Sequence, residues 1–147
     1  MFSTAAGHEG IVRLLLETEG VEANCNSKEG RTPLQIAAQY GHEGTVKLFL
    51  EREDLNPNYQ DSDGLTPLLS ATMFRKGRVV KILLERENID PNFPNGEGNV
   101  SLPWAAANGD EEVVGLLLQR RDISPDGPSK KGQTPLHCAA LAVHEGS

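Results

Sequence analysis

The segment Gly30-Arg31-Thr32-Pro33-Leu34-Gln35-Ile36-Ala37-Ala38-Gln39-Tyr40-Gly41-His42 decides the fold, because its landmarks return at a fixed interval. Gly64, Gly98 and Gly132 continue the phase of Gly30 at steps of 34 residues, Thr66 and Thr134 that of Thr32, and Pro67 and Pro135 that of Pro33. Residues 30–63 laid over 64–97 share 13 identities in 34, where unrelated sequences would share about two. The chain therefore divides into a partial unit 1–29, full units 30–63, 64–97 and 98–131, and a partial unit 132–147. Together they form a single domain over residues 1–147.

One unit explains its own local structure. Thr32 can cap a helix with its hydroxyl, and Pro33 then occupies the first helical position, where its missing N–H would have had no partner. Leu34, Ala37 and Ala38 share one helical face, and the small pair lets a neighbouring helix come close. Gly41 supplies a left-handed stop, and a second helix carries Val46, Leu48, Phe49 and Leu50 until Asn56-Pro57-Asn58 breaks it. Asp61-Ser62-Asp63-Gly64 reads as a tight turn, because Asp and Ser bond nearby backbone and Gly accepts positive φ. Two short amphipathic helices cannot bury their apolar faces alone, so the units must stack into an all-α solenoid joined by hairpin-like loops. Leu48 and Trp104 fall on positions expected to face its core.

Two units depart from the pattern. Arg75 stands where Gly41 and Gly109 stand, which should destabilise by about 1 kcal/mol if that position needs positive φ. The fourth unit reads Val100-Ser101-Leu102-Pro103 and lacks the Thr-Pro start. Both are expected to weaken local geometry without disturbing the repeat.

Composition narrows the function. The net charge is −7 over 147 residues, which argues against nucleic acid or an anionic membrane as partner, since both select for Lys and Arg. Apolar runs reach only about six residues, as at Val113–Leu118, far below the ~18 of a membrane span. Residues 1–10 contain no Lys or Arg and no apolar core of a secretory leader. Two cysteines, Cys25 and Cys138, are too few for a disulfide scaffold, and a reducing, cytoplasmic setting is expected.

This pattern resembles the ankyrin repeat. The resemblance rests on Thr66-Pro67-Leu68, on Thr134-Pro135-Leu136-His137-Cys138-Ala139-Ala140, and on Gly7-His8 and Gly41-His42, each followed by a helix ending in Leu14-Leu15-Leu16 or Leu48-Phe49-Leu50. The familiar unit has ~33 residues, whereas this one has 34, with Pro57-Asn58 and Pro91-Asn92 after the second helix. That longer unit is similar to the arrays of fungal NACHT-type, NOD-like receptor-like proteins.

The chemical candidates are weak beside the repeat. His8, His42 and His144 share one register, so stacking separates them, and His137 lies in the Thr-Pro-Leu-His motif, where the resemblance implies backbone hydrogen bonding. Zinc needs three or four converging ligands, and no metal or other cofactor is expected. Asp61-Ser62-Asp63-Gly64 imitates the start of a calcium loop, yet the twelfth position is Thr72 instead of Glu. Gly96-Glu97-Gly98 lacks the remaining phosphate-loop glycine, and no Gly-x-Ser-x-Gly elbow offers a nucleophile. Arg75, Lys76, Arg78 and Lys81 form one basic cluster, read first as a solvated surface.

With no catalytic constellation left, the expectation is a non-enzymatic protein-interaction module. The resemblance implies a concave binding face of hairpin tips and first-helix ends. By register these are Arg31, Gln39 and Tyr40, then Leu65, Met73 and Phe74, then Asn99, Ala107 and Asn108, with Glu29, Asp63, Glu97, Lys130, Lys131 and Gln133 at the tips. Tyr40, Leu65, Met73 and Phe74 make the apolar centre. The alternatives are a spacer or recognition array within a larger receptor-like protein and, since Phe2 matches Ile36 and residues 132–147 end just after a first helix, self-association through unfinished ends.

Overall fold

The computed structural model describes residues 8–127 and 131–146. Phe2, Gly7 and Lys130 lie outside them. Eight helices are assigned among the described residues: α1 (Glu9–Glu17), α2 (Pro33–Tyr40), α3 (Glu43–Leu50), α4 (Pro67–Met73), α5 (Gly77–Leu84), α6 (Ser101–Asn108), α7 (Glu111–Leu118) and α8 (Pro135–Gly146). No strand is assigned among them, so the architecture is all-α.

The first helices α2, α4, α6 and α8 pack in series, and the second helices α1, α3, α5 and α7 form a parallel series beside them. One apolar core runs between the two, from Val12 through Leu34, Val46, Leu68, Leu83 and Leu102 to Val113 and Leu117. Ala37, Ala38, Ala71 and Ala105 are fully buried, so small side chains stand where helices must approach. Leu48 is buried as expected, but Trp104 is only partly so.

The starts of α2, α4 and α8 follow the Thr-Pro chemistry. Thr32 Oγ1 accepts from the Gln35 amide at 3.3 Å, and the Gln35 side chain accepts from the Thr32 amide at 2.9 Å, a complete capping box. Thr66 repeats the cap toward Leu69 at 3.2 Å. In the last unit His137 takes the role of Gln35, its Nδ1 accepting from the Thr134 amide at 3.3 Å. The fourth unit solves the problem differently. Val100 offers no cap, and the residue whose amide a cap would serve is Pro103, which has no N–H. Val100 therefore leaves no amide unmet at the position that Thr32 and Thr66 cap.

The other departure behaves as the sequence implies. Gly41 and Gly109 end α2 and α6 at φ 74° and 69°, and Arg75 holds the same position at φ 59°, the sole non-glycine with positive φ among the described residues. The next amide still reaches back to the helix, Lys76 to Ala71 at 2.8 Å as His42 to Ala37 at 3.0 Å. In the last unit α8 runs on past that position to Gly146.

Between units the turns bond to one another. Asp61 Oδ1 accepts from the amides of Asp63 and Leu65, both at 2.9 Å, and Asn95 does the same for Glu97 and Asn99. The acidic turn that imitated a calcium loop thus spends its carboxylate on its own backbone. The Ser62 amide donates to the Glu29 carbonyl and the Gly96 amide to the Asp63 carbonyl, each at 3.0 Å. Gly64 is doubly constrained, by φ 79° and by the Gly96 backbone nitrogen, which a Cβ would strike.

On the loops after the second helices a ladder of side-chain amides ties the units. Asn24, Asn58 and Asn92 each donate to a carbonyl of the next unit, Asp54, Asn88 and Asp122, at 2.7 Å. Each also accepts from an amide there, that of Asn56 at 2.8 Å and those of Asp90 and Ser124 at 2.9 Å.

Candidate protein-binding surface

The face made by hairpin tips and first-helix ends collects the residues that the register singles out. Tyr40 and Phe74 are about half exposed, at 53% and 48%. Tyr40 closes α2 and Phe74 caps α4, and these helices pack side by side. The Tyr40 ring stacks on His42 with centroids 6.2 Å apart. Leu65, Met73, Arg31, Asn99 and Asn108 are partly exposed on the same elements. Their roles differ. Arg31 is anchored, its Nη1 donating to Gln39 Oε1 at 3.2 Å and its Nε lying 4.0 Å from Asp61. The Leu65 carbonyl accepts from the buried Gln35 side chain of the preceding unit, so this backbone is locked to its neighbour. The Asn108 carbonyl accepts from Arg75 Nη2 at 2.6 Å.

The basic cluster disperses into contacts between units. Arg75 reaches Asn108, Lys76 lays its methylenes over Gly41, Arg78 lies 3.7 Å from Glu43, and Lys81 is exposed on α5.

Two arginines clamp successive units. Arg52 donates to the Leu16 carbonyl at 2.8 Å and pairs with Asp54; Arg120 donates to the Leu84 carbonyl at 3.0 Å and pairs with Asp122. Hydrogen bonds from the arginines hold the carboxyls of Asp54 and Asp122 below the usual carboxylate range. Asn88 stands in that register in the intervening unit, beside an exposed Arg86. The sequence reading singles out neither the clamp nor the asparagine ladder, although the asparagines recur every 34 residues and the clamp's arginines stand in one register, with Asp in two units of three.

Among the described residues no three His, Cys, Asp or Glu side chains converge as a metal site requires, and no helix is long and apolar enough to cross a membrane. Cys25 is exposed and Cys138 buried, and neither is bridged.

A cavity of about 370 Å³ opens beside the fourth first helix, walled by Glu97, Asn99, Trp104, Lys131, Gln133 and Cys138. It lies on the hairpin and first-helix face, one unit beyond the aromatic pair. A search of the curated proteins returned no match. Family models do match: one for ankyrin repeats in three copies over residues 1–95, and one for ankyrin repeats in many copies over residues 102–145. The stacked helices and these matches agree, and the chain belongs to the ankyrin-repeat proteins, a family of non-catalytic scaffolds that act in protein–protein interaction.

Proposed function

We propose that the chain takes a protein partner on its concave face, across the hairpin tips and first-helix ends. The observation that carries this reading is the pair Tyr40 and Phe74. Leu34 and Leu68 of the same helices are nearly inaccessible, at 1% and 2%, while these two rings stay about half exposed, at 53% and 48%. Exposed rings on neighbouring helices, with Leu65 and Met73 on the same elements, have the character of an interface core, and Arg31, Asn99 and Asn108 supply polar residues there. The test is affinity for a partner recovered by pull-down. Tyr40→Ala and Phe74→Ala, each shown to be folded, should weaken binding about tenfold or more, while Lys47→Glu on α3 should leave it unchanged. Binding lost with Lys47→Glu and kept with both truncations would overturn the reading.

A second reading, a stiff spacer or recognition array within a receptor-like protein similar to the fungal NACHT group, draws on the unbroken ladder of Asn24, Asn58 and Asn92. Self-association draws on the end faces: Leu136 is 79% exposed where Leu34, Leu68 and Leu102 are buried, and Ile11, Leu14 and Leu15 are exposed on α1. A sedimentation coefficient that rises with concentration supports that contact, and a constant one removes it. The unbridged cysteines fit a reducing, cytoplasmic setting.

A further inference from the structure

We propose that Asn95-Gly96 is a self-modifying turn, in which the Gly96 backbone nitrogen attacks the Asn95 side-chain amide and converts it to a carboxylate when the contact with the Asp63 hairpin opens. The proposal is independent of where a partner binds.

The chain holds two Asn-Gly pairs, Asn95-Gly96 and Asn108-Gly109. Glycine has no Cβ to shield its nitrogen, so attack on the preceding side chain is least hindered there. The fold separates the two pairs. Asn95 Oδ1 accepts from the amides of Glu97 and Asn99, each at 2.9 Å. These bonds turn the side chain back along the main chain, past the Gly96 nitrogen. They also put two donors on the oxygen that becomes negative as the nitrogen adds to Cγ. The Asn95 Nδ2 makes no hydrogen bond among the described residues, so nothing there holds the leaving group. Asn95 is partly exposed and Gly96 exposed, so water reaches the turn. Asn108, in contrast, ends α6, and a helical Cα–Cβ bond tilts toward the helix N-terminus, away from the following nitrogen.

Packing keeps the reactive glycine in place and also restrains it. A Cβ on Gly96 would stand 3.1 Å from the Asp63 carbonyl oxygen, tighter than ordinary contact. The Gly96 amide donates to that same oxygen at 3.0 Å. While the bond holds, the nitrogen keeps both its proton and its orientation, and attack needs both released. Local opening of the two hairpins therefore sets the rate. Once they part, hydroxide from the solvent takes the Gly96 N–H proton and becomes water. The nitrogen bonds to Cγ and the Cγ–Nδ2 bond breaks. Ammonia leaves with a proton from water, which regenerates hydroxide, and a cyclic imide remains. Water then opens the ring, giving aspartate if the bond from nitrogen to Cγ breaks and iso-aspartate if the original peptide bond breaks.

The register shows which product the fold accepts. Asp61 holds the position of Asn95 one unit earlier, and its Oδ1 accepts from the Asp63 and Leu65 amides at 2.9 Å, as Asn95 does for Glu97 and Asn99. Aspartate at 95 can keep every bond of the turn. It adds a negative charge without the arginine that lies 4.0 Å from Asp61, because Leu65 stands in the register of Arg31. Iso-aspartate routes the main chain through Cβ and Cγ, which displaces the Gly96 amide from Asp63.

The experiment incubates the whole chain at mildly alkaline pH and follows conversion of amide to acid by peptide mapping with mass spectrometry. In the folded chain acid should accumulate at position 95 severalfold faster than at 108, and faster as pH rises. In urea the two sites should react at comparable rates, since only the fold distinguishes them. Gly64→Ala tests the control by the hairpin from the neighbouring unit, because a Cβ there would strike the Gly96 nitrogen. It should speed conversion at Asn95 about fivefold, the factor that losing a typical amide–carbonyl bond implies, and leave Asn108 unchanged. Should that variant not fold, urea below the unfolding range replaces it, and the rate at Asn95 should rise in step with exchange of the Gly96 amide proton. Asn95→Asp should fold as the parent does. Equal rates at the two sites in the folded chain, a difference that persists in urea, or no acid at 95 overturns the proposal. So does a rate at Asn95 that ignores both Gly64→Ala and Gly96 exchange, or an Asn95→Asp chain that does not fold.

Discussion

Val100 and Pro103 replace a capping threonine and the residue whose amide it would cap, and this exchange can be tested as a thermodynamic cycle. In the other units the cap runs from Thr32 to the Gln35 amide at 3.3 Å and from Thr66 to the Leu69 amide at 3.2 Å, with both threonines buried. Such a cap contributes about 1 kcal/mol. In the fourth unit Pro103 removes the donor that Thr32 and Thr66 meet in their own units, so Val100→Thr alone should gain less than about 0.5 kcal/mol. Pro103→Leu alone places an uncapped amide in the first turn. With both changes the cap should form, and the double variant should exceed the sum of the single effects by about 1 kcal/mol. Urea unfolding followed by circular dichroism supplies the four stabilities, and for a chain of this size that coupling is worth about 3–4 °C in thermal midpoint. Additive effects, with coupling under about 0.3 kcal/mol, would refute the argument that the two departures offset one another.

Three further outcomes follow from individual residues. At Arg75, φ 59°, Arg75→Gly should be about 1 kcal/mol more stable than Arg75→Ala by urea unfolding, since both lose the bond to Asn108 and only glycine releases the backbone; equal stabilities would contradict this. Thr45 is fully buried and its hydroxyl has no partner among the described residues, while Val79 and Val113 hold the same register, so Thr45→Val should stabilise by about 1 kcal/mol in the same assay. Asn88→Asp should rebuild the clamp for Arg86 and raise the thermal midpoint by about a degree or two. Like Asp54 and Asp122, the new carboxyl should titrate below its unfolded value of about 3.9, so the gain is present above that value and is lost as pH falls through the folded one. Melts from neutral to strongly acidic pH check the sign.

Much of the architecture was legible because the repeat multiplies each local signal. Thr32 and Pro33 announce a helix start by their own chemistry, and Gly41 its end, so the register transfers them to Thr66, Pro67 and Gly109. The strain at Arg75 was legible for the same reason. Asn24, Asn58 and Asn92 were not, since asparagine beside proline reads as a helix breaker and nothing local shows that its amide spans to the next unit. Register alone places Trp104 in the core, but a register states direction and not available room. Its ring exceeds the space that Ser70 and Cys138 need, and part of it stays outside. Val100 and Pro103 each read as a defect, and only the missing N–H at the capped position reveals them as a pair.

The central claim is that the hairpin and first-helix face, and not the second-helix face, receives the partner. Hydrogen exchange on the complex with a partner retained in pull-down tests it without altering any residue. New amide protection is expected at residues 28–31, 39–41, 62–65, 73–75 and 96–99, with α3, α5 and α7 unchanged. Protection confined to α3, α5 and α7, with those segments exchanging as in the free chain, would contradict it.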